Sequence, residues 1–572
     1  MILQALKEYY DRKAADPASD IAPEGWERKE LPFIVVLNAD GSLLQIEDTR
    51  EGDGKKKRAK AFLVPQGVKK TSGIAANLLW DSAGYVFGID NKGNPERARQ
   101  QQQEFIKRLV NELGDIPVIQ TVVSFLSKVE VERLQQEENW EEIVTTNPNL
   151  SFQIVGDHGL VCNRSEVMTK LNAATAPDDA DQTGTCLITG MSGKIKTLHT
   201  SIKGVYGAQS SGANIVSFNL DAFKSYGKEQ GLNAPVGVAA EFGYTTALNT
   251  LLGKDSKQRL AVGDASTVFW SKRQTVFETD FPFFFKEPDK DDPDAGTRRV
   301  KALFESVQTG AYVEDESNVP FYILGLAPNA ARIAIRFWHV GMVSEYATRI
   351  CQYFEDFAIV KPPKEPEYYS LWRILVNIAT QDKSENIPPN LAGDFMRAIL
   401  EGTPYPATLL QAALRRIRSD VDQRVKPVRA ALIKAYLNRY YRNTNQREVI
   451  TMELDTMQPS IGYQLGRLFA TLEKIQEEAN PSINATIRER FYGAACATPV
   501  TVFTNLIRLK NHHLAKLDSK GRVIHFERLL GEIMSKLTDF PAHLDLHEQG
   551  RFAIGYYHQR QAFFTKASEL AN

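Results

Sequence analysis

Two hydrophobic rhythms alternate along this chain. Up to about residue 280, short runs of β-branched and aromatic residues recur between Gly, Pro and Asn: Leu31 to Asn38, Ala61 to Pro65, Ala83 to Ile89, Ala213 to Leu220 and Ser266 to Ser271. Such runs, bounded by turn formers, predict strands. One longer segment among them follows helical spacing. Asn94-Pro95 opens it, and Phe105, Leu109 and Leu113 fall on one stripe. Beyond about residue 330 helical spacing dominates. Ser460 caps a segment whose Ile461, Leu465, Leu468, Phe469, Leu472 and Ile475 share a face, and Thr498-Pro499 starts another. Phe526, Leu529, Leu530, Ile533 and Leu537 form a third stripe, and Pro541 opens a last segment reaching Phe564. Short connections between helices of this length predict an antiparallel bundle. The fold class is therefore α+β: a mixed α/β N-terminal region, a mainly helical region and a C-terminal antiparallel helical bundle. The expected divisions are residues 1–280, 281–450 and 451–572, with the polar stretch 286–299 read as an exposed loop near the first boundary.

A chain of 572 residues exceeds what one core needs. Its four cysteines, Cys162, Cys186, Cys351 and Cys496, lie far apart and form no CxxC pair, which argues against a disulfide framework or a cysteine zinc ribbon. The start carries charge throughout, unlike a secretory signal, and no apolar run is long enough to span a bilayer. These features predict a cytoplasmic protein with no membrane partner. The formal net charge of −1 gives no global attraction to nucleic acid, so local charge decides.

Local charge is uneven. Lys55 to Lys70 holds seven basic residues and no acid, and Thr71 to Asp81 follows with small hydroxyl residues, a glycine and Asn77. Backbone amides there can approach phosphates, and Asn77 offers a side chain to a base edge or a phosphate. The plainer alternative is a solvated basic loop before a helix capped by Ser72. From Gln182 to Leu220 there is no Asp or Glu, while Lys194, Lys196 and Lys203 are present. Gly204, Gly207 and Gly212 permit tight turns around the neutral donors Gln209, Ser210 and Ser211. That pattern suits a nucleic-acid groove or an ordinary hairpin connection. A third segment, 411–447, carries ten basic residues against Asp420 and Asp422, with Tyr436, Tyr440 and Tyr441 interleaved. Cationic helices with aromatics suit a nucleic-acid backbone or an acidic protein neighbour.

Catalytic motifs fail on inspection. Gly190-Met-Ser-Gly193-Lys194 lacks both the leading glycine, where Ile188 stands, and the Ser or Thr after the lysine, where Ile195 stands. Gln209 occupies the third glycine position of a dinucleotide fingerprint. Six of nine histidines (512, 513, 525, 543, 547 and 558) lie in the final bundle, but Leu544 follows His543, so HExxH is absent. Inter-helix hydrogen bonding is the expected role for these histidines. No GxSxG elbow or carboxylate constellation appears. The expectation is a non-enzymatic protein needing no cofactor and no metal.

Several long blocks then combine in order: Ser72 to Gly88, Ile202 to Val236, Phe321 to Trp338, Gly466 to Pro499 and Phe540 to Phe564. Together they resemble the large subunit of the type I-C CRISPR Cascade complex. The resemblance implies a subunit at one end of a crRNA-guided complex that recognises the protospacer-adjacent motif on duplex DNA and promotes strand opening, while guide RNA reads the target. It implies as partners the crRNA-containing backbone, handle-binding and small subunits, double-stranded target DNA, the displaced single strand and a recruited helicase-nuclease that does the cutting. On this reading Lys69, Lys70, Thr71, Ser72, Asn77, Lys203, Gly207, Ala208, Gln209 and Ser210 form one DNA-contacting surface. Arg415, Arg416, Arg418 and Arg424 add backbone contacts. The resemblance further implies a small subunit made from an internal start, for which Met452 is the favoured candidate, Met457 a rival, and an ordinary methionine the plainer alternative. A nuclease or helicase, and a protein-only scaffold, are the competing readings.

Overall fold

The computed structural model describes residues 1–52, 57–68, 70, 73–129, 131–174, 182–289, 291–309, 318–420, 425–446 and 449–564. It is α+β, as the two rhythms predict. The chain forms two units, one of residues 1–203 and 210–250, the other of residues 204–209 and 251–572.

In the first unit, β1 (Trp26–Glu30) pairs antiparallel with β4 (Ala61–Pro65). A four-stranded sheet takes the order β3-β2-β6-β5, from β2 (Phe33–Leu37), β3 (Leu43–Asp48), β5 (Trp80–Ser82) and β6 (Asn149–Ile154). Every residue of β2 is buried, which its unbroken Phe-Ile-Val-Val-Leu run dictates. β2 and β6 run parallel, so the chain between them must cross over, and it does so partly through the helices Pro95–Leu113 and Pro117–Ser127. The first of these starts where expected: the Asn94 side chain accepts from the Arg97 N–H at 3.1 Å, and Phe105, Leu109 and Leu113 are buried. A small hairpin joins β7 (Thr183–Thr185) to β8 (Ser192–Lys194).

In the second unit, β9 (Arg259–Val262), β10 (Ala265–Ser271), β11 (Pro320–Asn329) and β12 (Arg332–Met342) form an antiparallel meander. Helices follow. At their centre is Pro427–Asn443, whose flanks are covered by Val343–Phe357, Leu371–Ile378, Ala407–Ser419 and Leu546–Ala562. Ser460 caps Ile461–Ala479, accepting from the Tyr463 N–H at 3.2 Å. That helix lies in backbone contact with Leu546–Ala562. A Cβ at Gly466 would collide with the Phe552 carbonyl, and one at Gly555 with the Tyr463 carbonyl.

Several expectations need correction. Ala83 to Ile89 is not a strand: Ala83–Phe87 is a short helix ended by Gly88 at φ +71°. A short apolar run bounded by glycine does not distinguish the two by periodicity. Ala213 to Leu220 forms no strand beyond an Ile202–Ala213 bridge, and Asn214 Nδ2 donates to the His199 carbonyl at 2.9 Å. The expected loop 286–299 already contains the start of the helix Ala295–Thr309. The boundary expected at 280 falls near 250. Nor is 451–572 separate, because one core runs from Leu260 to Tyr557. Asn438 holds the Ile450 backbone through two hydrogen bonds, at 2.8 and 2.9 Å, and Met452 O accepts from the Val360 N–H at 2.9 Å. A product starting at Met452 would lack Ile433, Leu437 and Leu410 and leave uncovered the face around Gly550 against which they pack.

Candidate nucleic-acid interface

The loop between β4 and β5 is braced from inside. Trp80 Nε1 donates to the Pro65 carbonyl at 2.8 Å, and Asn77 Oδ1 accepts from the Val68 N–H at 3.0 Å. Asp81, 2% exposed, accepts from the Asn77 N–H and the Ser82 N–H, both at 2.8 Å. Leu79 takes φ +62° to make the turn. Asn77 is itself buried, so the structure gives it the task of bracing this loop rather than reaching out to a base.

Lys70 stands at the rim of this frame. Its ammonium meets both Asp81 carboxylate oxygens at 2.6 and 2.7 Å and lies 3.7 Å from the centre of the Tyr85 ring. On β1, Lys29 places its ammonium 4.7 Å from the centre of the Trp80 ring. Burial holds Lys29 below the usual lysine range. The charges of Lys203 and Lys70 push the same way, and Glu27 and Asp81 oppose them. Burial lowers Lys70 too, against the pull of Asp81. Lys203 is exposed, with its backbone N–H fixed on Asn249 Oδ1 at 2.8 Å. Three lysines thus share one neighbourhood with a single buried carboxylate. Their mutual repulsion is relieved by an anion, and a partly desolvated ammonium attracts a phosphate oxygen more strongly than a solvated one. Lys29 had no signal in the sequence, where it lies just before the strand expected from Leu31, because what recruits it is the pairing of β1 with β4.

The other expected residues divide. Lys69, Thr71, Ser72 and Arg424 lie outside the described residues. Gly207, Ala208 and Gln209 belong to the second unit, at the tip of a loop whose stem, in the first unit, closes through Ile202 and Ala213 at 2.8 and 2.9 Å. Gly207 has φ +76°; Gln209 and Ser210 are exposed.

The basic segment 411–447 is largely internal, which corrects the expected cationic surface. Arg429 is fully buried, with Nε donating to the Asn377 carbonyl at 2.8 Å and Nη1 paired with Asp420. Arg439 donates to the carbonyls of Thr403 (2.8 Å) and Ala398 (2.6 Å) and pairs with Asp356, and Arg442 meets the same Asp356 at 2.6 Å. Lys434 donates to the Asp356 carbonyl at 3.0 Å, and burial pushes it down to about 8. Arg416 pairs with Asp420 at 2.6 Å. Tyr436, Tyr440 and Tyr441 pack around His547. Only Arg415 and Arg418 of the expected backbone contacts are exposed among the described residues, and Arg418 donates to Gln549. An exposed basic face lies elsewhere: Arg508, Lys516, Lys520 and Arg528 on the hairpin of helices Val500–Leu514 and Lys520–Met534. The available signal was six Lys and Arg against Asp518 and Glu527 between residues 500 and 528.

Histidines in the bundle hydrogen-bond between helices: His547 Nδ1 lies 3.0 Å from Tyr441 Oη, and His558 Nδ1 lies 2.9 Å from Tyr463 Oη. Among the described residues, no group of three or more His, Cys, Asp or Glu is placed to hold a metal ion, and no helix is long and apolar enough to cross a membrane.

Residues 6–564 match the family model Cas_Csd1, described as CRISPR-associated protein, and the chain belongs to that family. The match agrees with the resemblance to a type I-C Cascade large subunit. No curated protein matches the chain.

Proposed function

We propose that this subunit recognises the protospacer-adjacent motif on duplex DNA and promotes strand opening without cutting either strand. Family membership supports the setting, a crRNA-guided complex, and the cytoplasm as its place is part of the same proposal. The observation that carries the reading is the neighbourhood of Lys29, which feels the charges of Lys70 and Lys203, with Lys70 paired to the buried Asp81 at 2.6 Å. Phosphate contacts fix register on a duplex, and neighbouring small-residue loops let it come close. The exposed residues Arg508, Lys516, Lys520 and Arg528 are better candidates for backbone contacts to the displaced strand than the paired Arg416, with Arg415 the exposed residue that remains beside it. Cleavage falls to the recruited helicase-nuclease, and guide pairing offsets the lost duplex pairing.

Fluorescence anisotropy of the purified chain with motif-bearing and scrambled duplexes, across a salt series, tests this. The expected result is salt-dependent binding that favours the motif and weakens with Lys70→Gln and Lys203→Gln. Equal affinity for both duplexes, or a salt slope unmoved by these substitutions, overturns it. Divalent-metal-dependent cleavage that co-purifies with the chain overturns the non-catalytic part.

A further inference from the structure

An aromatic ring exposed on an ordered turn has no role in packing, and the tip of the 203–212 loop carries one. Tyr206 is 78% exposed. Its backbone is nevertheless held on both sides. Val205 before it is buried, the Tyr206 N–H donates to Ser266 Oγ at 2.9 Å, and the Ala208 N–H closes the turn on the Val205 carbonyl at 3.1 Å. Gly204 takes φ +84° with the Leu252 carbonyl 2.7 Å from where a Cβ would sit. Gly207 takes φ +76° against Pro328. Both glycines are therefore required by geometry, and together they hold the turn that carries Tyr206.

The surroundings discriminate between occupants. No acid occurs between residues 182 and 220, so the loop does not repel phosphate. The acid nearest Ser266 in sequence, Asp264, is neutralised by Arg336 at 2.7 Å. The residues that follow Tyr206 in the loop are Gly207, Ala208, Gln209 and Ser210, whose small or polar side chains leave room for a flat ligand. A second exposed tyrosine provides contrast. Tyr226, 98% exposed, sits where Lys224 is paired with Asp221 and Glu229, so its neighbourhood carries no cationic excess.

We propose that Tyr206 is a stacking platform for one unpaired nucleobase. A phenol ring offers a π-face to any base, and stacking of this kind tolerates sequence. The proposal rests on the DNA-binding reading above and adds to it a contact made only with single-stranded nucleotides.

The test is a cycle between protein and DNA, using the full chain and forked duplexes in which each unpaired nucleotide in turn is replaced by an abasic site. With the wild-type chain, one abasic position should weaken binding about tenfold, the size of one lost stacking contact. Tyr206→Ala should bind the intact fork about tenfold more weakly, with no further loss at that abasic position, and Tyr206→Trp should restore the sensitivity. Tyr226→Ala should match wild type. Equal affinity of wild type and Tyr206→Ala, or an equal drop for base and abasic probes, overturns the stacking role. If Lys203→Gln weakens binding while Tyr206→Ala does not, only this inference fails. If the wild-type chain shows no salt-dependent binding to any fork, the DNA-binding reading fails with it.

Discussion

Residues 411–447 and the lysines Lys29, Lys70 and Lys203 are both cationic, yet they meet different neighbours. The helix Pro427–Asn443 lies inside the second unit, and its charges end on Asp356, Asp382 and Asp420 or on helix carbonyls. Of the three lysines, Lys70 is paired with the buried Asp81, Lys29 feels the charge of Asp81, and Lys203 is exposed. The first arrangement holds a helix in a core; the second leaves more positive charge than buried acid to match it. The difference teaches that a basic run in a sequence reports function only after its acids have been located, and here those acids come from other helices.

The largest effect expected from breaking the comparison is at Asp356. Its side chain is 1% exposed and meets Arg439 and Arg442. Asp356→Ala leaves Arg439 buried without its carboxylate, and loss of one partner of a buried pair costs about 3–5 kcal/mol. Denaturant unfolding should show that loss in the transition of the second unit. An unchanged midpoint would mean the segment is not internally neutralised.

Next in size is a pH effect at His558, whose neighbour Lys434 already brings one cation into the same core. Burial first, and then the charge of Lys434, pushes His558 down to about 3. The folded value thus lies below the ordinary one near 6.5. The unfolded chain binds the extra proton first, so stability falls as pH drops from about 6.5 towards 3 and is fully present above that window. At pH 5 the loss from this residue amounts to about 2 kcal/mol. His558→Gln should flatten the slope in that window whatever its cost at neutral pH. Parallel slopes for the two proteins would count against it.

Much of this was legible beforehand where the determinants are local. Asn94 and Ser460 announce their helices by capping, and Phe105, Leu109 and Leu113 announce a buried stripe by spacing. The α+β class follows from the two rhythms. What escaped depends on partners distant in sequence. Ala83–Phe87 becomes a helix between Ser82 in β5 and Gly88, Lys29 reaches Trp80 only after β1 pairs with β4, and Arg429 meets Asp382 from 47 residues away. Asn77 stands out among the small residues of its segment, but its bond to Val68 and its burial lie beyond local pattern.

A smaller effect sharpens the other half of the comparison. Lys29→Gln, Lys70→Gln and Lys203→Gln should each reduce the log–log salt slope of duplex binding by roughly 0.9 if each meets one phosphate. Lys70→Arg should keep the slope, because the charge and the Asp81 pair are retained. Folding stability should change little at Lys203, which is exposed. Binding isotherms from 50 to 200 mM salt, a range of the order over which such contacts are resolved, give the slopes. Three unchanged slopes would return these lysines to a structural role.

The smallest effect separates two adjacent arginines on one helix. Arg415 is exposed, whereas Arg416 is 14% exposed and pairs with Asp420, itself 17% exposed, at 2.6 Å. Asp420 also receives Arg429, so Arg416 helps fix a carboxylate on which a buried cation depends. Such a pair is partly screened by solvent, and Arg416→Ala should cost about 1 kcal/mol. Arg415→Ala removes no described ion pair and should stay within about 0.5 kcal/mol of wild type. In binding the order reverses: only Arg415 is placed to meet a phosphate, so only Arg415→Ala should change the salt slope. Paired urea titrations and binding isotherms on the two variants read both quantities. Equal stability losses, or a slope that moves with Arg416 and not Arg415, would show that burial does not divide this segment as argued.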